Sequence, residues 1–196
     1  MRYFAFILIL FLLSSHRVYS QVDTNIWNDM KKVESDNYSF FVPNKWRDMD
    51  MSMFGMLHYY EASGLAFPLM HNGSNPVIVI LCLVKTNEKS LEVLKTDIEN
   101  GYAKNKDRVF KDNFYFESEE FTLASSQKAY LINTRFFRKS KDLEQSRFDL
   151  AVFSDKANQG YMFTISIQYA DETYQFEKDF KLKEFARKFF SYFSLN

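Results

Sequence analysis

The spacing of apolar residues changes along this chain, and each change predicts a different element. Val77 to Val84 is eight consecutive apolar residues, opened by Pro76 and closed by Lys85-Thr86-Asn87. A run that is apolar at every position and rich in β-branching predicts a strand covered on both faces, hence interior to a sheet. Tyr161 to Tyr169 alternates instead, with Tyr161, Phe163, Ile165, Ile167 and Tyr169 on one side and Met162, Thr164, Ser166 and Gln168 on the other. That period of two predicts a strand whose aromatic and aliphatic face is the buried one. Arg147 to Phe153 is its predicted hairpin partner across Asp155 to Gly160, where Asn158 and Gly160 can take positive φ. Phe114 to Phe116, Glu120 to Leu123 and Ala129 to Phe137 add β-prone segments to the same meander. Tyr38 to Val42, stopped by Pro43-Asn44, predicts a first hairpin with Lys31 to Glu34.

Two stretches switch to helical spacing. After Ser90, a suitable N-cap, Leu91, Leu94, Ile98 and Tyr102 make a narrow apolar stripe. Leu182, Phe185, Ala186, Phe189, Phe190 and Phe193 make a wider one, with Lys181, Lys183, Glu184, Arg187 and Lys188 outside it. Helix, antiparallel meander and helix together predict an α+β fold, an α/β/α sandwich whose central, mainly antiparallel sheet is flanked by helices.

The first twenty residues predict an address. Met1-Arg2-Tyr3 starts them, Phe4 to Leu13 is an unbroken apolar run of ten, and Val18-Tyr19-Ser20 suits cleavage, so residues 1–20 read as a signal peptide. As a helix the run reaches only about 15 Å, half the hydrocarbon thickness, so no membrane span is expected after cleavage. Residues 21–196 are expected to form a single domain, periplasmic or secreted, because no repeat or Pro/Gly-rich linker divides them. Taking Arg2 and Arg17 from the 25 basic residues leaves 23 against 25 acidic ones, which is no footprint for nucleic acid. Cys82 is the one cysteine, so packing must stabilise the domain without an intramolecular disulfide.

The segment Tyr38-Ser39-Phe40-Phe41-Val42-Pro43-Asn44-Lys45-Trp46 resembles the opening signature of the PsbP-like family, in which a strand ends at a proline and a tryptophan follows three residues later. The order of elements downstream is similar as far as Phe193. The resemblance implies an α/β/α sandwich in a non-catalytic protein, with exported DcrB-like proteins as the nearest analogy. It carries over no functional residue, because members share the fold and not one function.

Candidate chemistry is sparse. Past residue 20 the chain has two histidines, His58 and His71, and neither a Gly-x-Ser-x-Gly elbow nor a His-Glu-x-x-His zinc helix. Cys82 lies in the all-apolar strand, where a thiol stays protonated. No enzymatic activity and no cofactor are therefore expected. Asp48-x-Asp50-x-Ser52 begins like a calcium loop, but Met53 and Tyr59 stand where that loop needs Gly and Glu. Glu117 to Glu120 reads as a solvated connection.

One window is compositionally odd. Met49, Met51, Met53, Met56 and Met70 cluster with His58 and His71, and thioether with imidazole is a soft ligand set suited to Cu(I). The favoured reading is packing: Met49, Met51 and Met53 alternate with Asp48, Asp50 and Ser52, which would place three thioethers on one strand face against the core. Gly55 to Pro76 reads as a long loop whose Tyr59, Tyr60 and Phe67 form a partner-binding surface, against a competing reading of His58 to Glu61 as a further strand. The function expected is an exported accessory factor that binds another envelope or extracellular protein. The alternative is a soft-metal-binding protein using the window 49–71.

Overall fold

A computed structural model describes residues 27–63, 78–109, 114–138, 143–169 and 182–196. The signal segment expected at 1–20, and Phe67, Met70 and His71, lie outside the described residues. In chain order the elements are β1 (Met30–Glu34), β2 (Tyr38–Pro43), β3 (Arg47–Asp48), β4 (Met56–Ser63), β5 (Ile78–Thr86), α1 (Leu91–Val109), β6 (Tyr115–Thr122), β7 (Lys128–Arg138), β8 (Leu143–Ser154), β9 (Gln159–Tyr169), α2 (Leu182–Phe190) and β10 (Ser194–Leu195). No helix among the described residues is long and apolar enough to cross a membrane.

The strands form two antiparallel sheets, ordered β1-β2-β10 and β3-β4-β5-β9-β8-β7-β6. This overturns the expected α/β/α sandwich. The molecule is mostly β, and one face of the large sheet is closed by a second sheet together with α2, while α1 covers the other. The first hairpin forms as predicted, with Val33 opposite Phe40. It is a separate layer, because Phe40 and Val42 point into the large sheet's core and the chain end pairs with β2, Leu195 opposite Tyr38. Alternation shows that a strand has a buried face, but not which sheet it joins.

β5 is interior, between β4 and β9, as its continuous apolarity predicts. Val79, Leu81 and Leu83 fill the main core, and on the other face Cys82 is buried between half-covered Ile80 and Val84. The main core is aromatic: Phe40 lies 4.9 Å from Phe163, and Phe163 lies 5.6 Å from Phe190 and 5.2 Å from Phe193. Trp46 is 2% exposed and stacks on Phe189, centroids 5.6 Å apart at 21°. α2 stops at Phe190 rather than running to Phe193. The Tyr192 and Phe193 amides donate to the carbonyls of Phe189 and Phe190, which tightens the last turn and swings the chain into β10.

Local turn chemistry follows the sequence closely. Ser90 caps α1, its hydroxyl accepting from the Val93 amide at 3.3 Å. In the β8–β9 turn Asn158 takes the positive φ, 47°. Gly160 does not; it is small because a Cβ there would collide with the Thr86 hydroxyl across the β5–β9 ladder.

Candidate functional site

The methionine window does not form the strand face expected of it. Ser52–Phe54 is a single 3₁₀ turn, closed by Gly55 in the left-handed region at φ 75°. The Ser52 amide donates to Asp50 Oδ1 at 3.0 Å, and the Phe54 and Gly55 amides donate to the Met51 and Ser52 carbonyls. Those donors at Ser52 hold the Asp50 carboxyl below the usual range. The turn rotates Met53 and Phe54 into solvent, 85% and 65% exposed, with Leu57 exposed beside them. Met49, Met51 and Met56 are half-buried. The packing reading thus fails at Met53, because a left-handed Gly55 and the Ser52–Asp50 hydrogen bond turn the chain where alternation needs it extended.

His58 is engaged elsewhere. It lies on β4 with its ring 5.3 Å from Phe40 and stacked on Tyr60 at 9°, and its Nε2 is 2.9 Å from the Tyr38 hydroxyl. Burial pushes its pKa down, against an upward pull from Asp48. Nothing in this arrangement favours the copper reading. Among the described residues, no group of three or more His, Cys, Asp or Glu is placed to hold a metal.

Tyr59 and Tyr60 belong to a strand, not to a loop. Tyr60 is 2% exposed in the main core, where burial and Asp48 push its phenol up to about 12, so it is no exposed contact. Tyr59 is half-buried on the opposite face, across from Cys82. The stretch read as a long loop is strand up to Ser63, and its residues 64–76 lie outside the described residues.

A polar cluster that the sequence reading passed over lies between α1 and the large sheet. Asp149 is fully buried; it accepts from Arg147 Nε at 2.9 Å, from the Tyr102 hydroxyl at 2.7 Å and from the Thr164 hydroxyl. Burial and the nearby Asp149 raise the Tyr102 phenol far above its ordinary value. Burial opposes the Arg147 charge, but Asp149 and Tyr102 outweigh it and keep the guanidinium protonated. Gln145 Nε2 donates to Ser166 Oγ in the same layer. Cys82, opposite Thr164, has its thiol pKa raised by burial, which keeps it unreactive. Gln145 Oε1 is left without a donor, but the Asp149 group is internally paired, and Tyr102 ties α1 to the sheet through it.

A cleft does open at the far edge of the large sheet, between β6 and α2. It holds about 360 Å³ and is lined by Tyr115 and Glu117 of β6, Asn133 of β7, and Leu182, Lys183, Glu184 and Arg187 of α2. Glu117 to Glu120, read from sequence as a solvated connection, is the middle of β6, and its carboxylates are ion-paired. Lys183 Nζ reaches Glu117 at 3.0 Å and Glu119 at 3.1 Å, Arg187 donates to Glu119, and the Tyr115 hydroxyl donates to Glu117 at 2.9 Å. Lys183 as donor, then Tyr115, holds the Glu117 carboxyl below its usual range. Asn133 sits at the floor, 5% exposed, its Oδ1 buried with no donor. The one signal for it in sequence is a break in pattern: along β7 the positions Ala129, Leu131 and Asn133 share the core face, and the third is polar.

No family model matches the chain, and no curated protein matches it either. Among solved structures, PA94 of Pseudomonas aeruginosa, a protein of unknown function, is similar with 8% identity and a TM-score of 0.41 over 81% of this chain and 94% of that one. LpqN of Mycobacterium tuberculosis, involved in cell envelope biogenesis, is similar with 12% identity and a TM-score of 0.44 over 90% and 97%. Overlaps this loose carry no argument about function.

Proposed function

We propose that the protein is an exported, non-catalytic accessory factor that binds another protein of the envelope or extracellular space. The apolar run and cleavage-type residues of the first twenty positions support export. The PsbP-like resemblance at Pro43 and Trp46 supports an accessory role by analogy alone. The observation that carries the reading is the turn at Ser52–Phe54. Contiguous exposed apolar side chains are a mark of contact sites. Here Met53 and Phe54 are presented by a turn held by the Ser52–Asp50 hydrogen bond, its own backbone hydrogen bonds and a left-handed glycine, so their exposure is built into the chain.

Photo-crosslinking in the native host tests this. A photoreactive phenylalanine analogue at Phe54 is expected to give one discrete adduct with another protein, lost on adding Met53→Ser. The same analogue at Val93, exposed on α1, is expected to give none. No adduct at position 54, or equal labelling at both positions, removes the reading.

A further inference from the structure

We infer that a pocket at the end of the large sheet, beside the first turn of α1, binds a zwitterion of amino-acid type, with a carboxylate, an ammonium and an apolar side chain. The pocket shares no residue with the Ser52–Phe54 turn, so the inference stands apart from the proposed protein contact. It holds about 360 Å³, the small end of the range for small-molecule sites.

Three chain connections meet there. Lys89 lies between β5 and α1, Gln127 in the β6–β7 turn and Asp155 in the β8–β9 turn. Strand pairing brings these connections to one end of the sheet, with Thr86 opposite Gly160 and Ala129 opposite Val152. Both turns are pinned. In the first, the Leu123 amide donates to the Gln127 carbonyl and the Ser126 amide to the Leu123 carbonyl, with Ser126 left-handed at φ 64°. In the second, the Asn158 amide donates to the Asp155 carbonyl and the Ala157 amide to the Ser154 hydroxyl. The backbone under Gln127 and Asp155 is therefore set before any guest arrives, which lowers the ordering cost of binding.

Charge selects the guest. Lys128, also in the lining, is committed to Glu120 at 2.9 Å and to Glu92 at 3.5 Å. Lys89 and Asp155 are exposed, and among the described residues neither side chain has an ion-pair or hydrogen-bond partner. One free cation and one free anion thus line the same pocket without meeting. A guest with a single charge would satisfy one of them and face the other. A zwitterion can satisfy both, its carboxylate at Lys89 Nζ and its ammonium at the Asp155 carboxylate. Gln127 supplies further donors: its Oε1 accepts from the Ser125 hydroxyl at 2.9 Å, which leaves its amide N–H groups for a guest.

Part of the lining is apolar. Leu91, packed on the Leu94, Tyr130 and Ala151 cluster, and Phe153 are both half-buried, and Phe153 has no ring neighbour among the described residues. An apolar side chain on the guest would cover the surface they leave open, and that burial favours it over a guest without one.

The test is a two-dimensional NMR titration of the chain from residue 21 near neutral pH. Leucine is the zwitterionic probe, and leucine amide and N-acetyl-leucine are its cationic and anionic counterparts. Leucine is expected to shift the amides of Lys89, Gln127, Phe153 and Asp155 saturably, with each singly charged probe about fivefold weaker, or 1 kcal/mol. Lys89→Met and Asp155→Asn, both at exposed positions, are expected to keep the fold. They should act on opposite ends of the guest: Lys89→Met removes the advantage of leucine over leucine amide, and Asp155→Asn its advantage over N-acetyl-leucine. The inference is overturned if no saturable shift appears by about 50 mM leucine, a limit weaker than millimolar affinity. It is equally overturned if the shifts map outside the pocket, if either singly charged probe binds as well as leucine, or if the two variants leave both advantages in place.

Discussion

On one face of the seven-stranded sheet, Leu81, Phe163, Ile165 and Phe148 meet Phe40, Phe190 and Phe193 of the layers above. One residue along the same strands, on the other face, Cys82, Thr164, Asp149 and Arg147 lie beneath α1. Both faces are buried, yet they are held differently. The aromatic face gains from non-directional burial, where each side chain adds a share in proportion to the apolar area it hides. The polar face gains little from burial itself, because every charge and hydroxyl taken from water must find a partner of correct geometry. The difference predicts opposite responses to substitution: loss on the aromatic face scales with volume removed, whereas loss on the polar face depends on whether partners are removed singly or together.

The largest effects test that contrast directly. Asp149→Ala should cost about 3–5 kcal/mol, since it takes a fully buried acceptor at once from the half-buried Arg147 and from the Tyr102 and Thr164 hydroxyls. Phe163→Ala should cost a similar 3–5 kcal/mol through lost burial and a cavity. The two diverge on repair. Combining Arg147→Met, Asp149→Leu and Tyr102→Phe should bring denaturant stability back to near the wild-type value, because apolar replacement of a whole buried ion network is often neutral or better. If the triple variant is as unstable as Asp149→Ala, the polar face contributes more than its internal pairing.

A smaller effect separates docking of α1 from the rest of the fold. Tyr102→Phe removes one hydrogen bond to a buried carboxylate and should cost about 1.5–3 kcal/mol. Amide exchange should then quicken in α1 and stay unchanged in β2; uniform quickening would show that the two faces unfold as one unit.

Titration probes the aromatic face next. Burial holds His58 neutral in the folded chain, so its folded pKa lies below the unfolded 6.5. The unfolded state therefore binds the extra proton, and stability should be full above about 6.5 and fall as pH drops below it. The His58 ring resonance should titrate with a midpoint below 6.5, and His58→Gln should flatten that part of the stability profile. Tyr60 moves the other way in pH. Its phenol is pushed up to about 12, so its contribution is present below about 10 and lost as pH rises from there through 12. Tyr60→Phe should remove that alkaline loss as followed by tyrosinate absorbance; an unchanged alkaline melt would place the sensitivity elsewhere.

The smallest expected effect lies outside both faces. Met53→Ser, at an 85% exposed position, should change stability by no more than about 0.5 kcal/mol. A larger loss in a denaturant melt would mean that the Ser52–Phe54 turn depends on its exposed side chains as well as on its backbone bonds and the Ser52–Asp50 hydrogen bond.

Sequence alone determined the features that depend on near neighbours. The continuous run before Lys85 made β5 interior, Ser90 capped α1, and Asn158 turned the β8–β9 hairpin. Each of these is decided within a few residues by dihedral preference, capping or hydropathy. The same patterns were silent on what lies opposite. Thr164 and Ser166 read as a solvent face because they are polar at period two, and only the placement of α1 buried them. β2 read as part of one hairpin, and only the pairing of Leu195 with Tyr38, from the far end of the chain, made it the centre of a second sheet. At the cleft, Lys183 meets Glu117 from 66 residues away, and Asn133 signals itself merely as one polar residue on an apolar face. Alternation along a strand tells which side chains share a face, but the cover over that face comes from elements distant in sequence. Cover decides whether a polar side chain faces water, a partner or an open cleft, so the tertiary structure alone could separate a docking network from a candidate binding site.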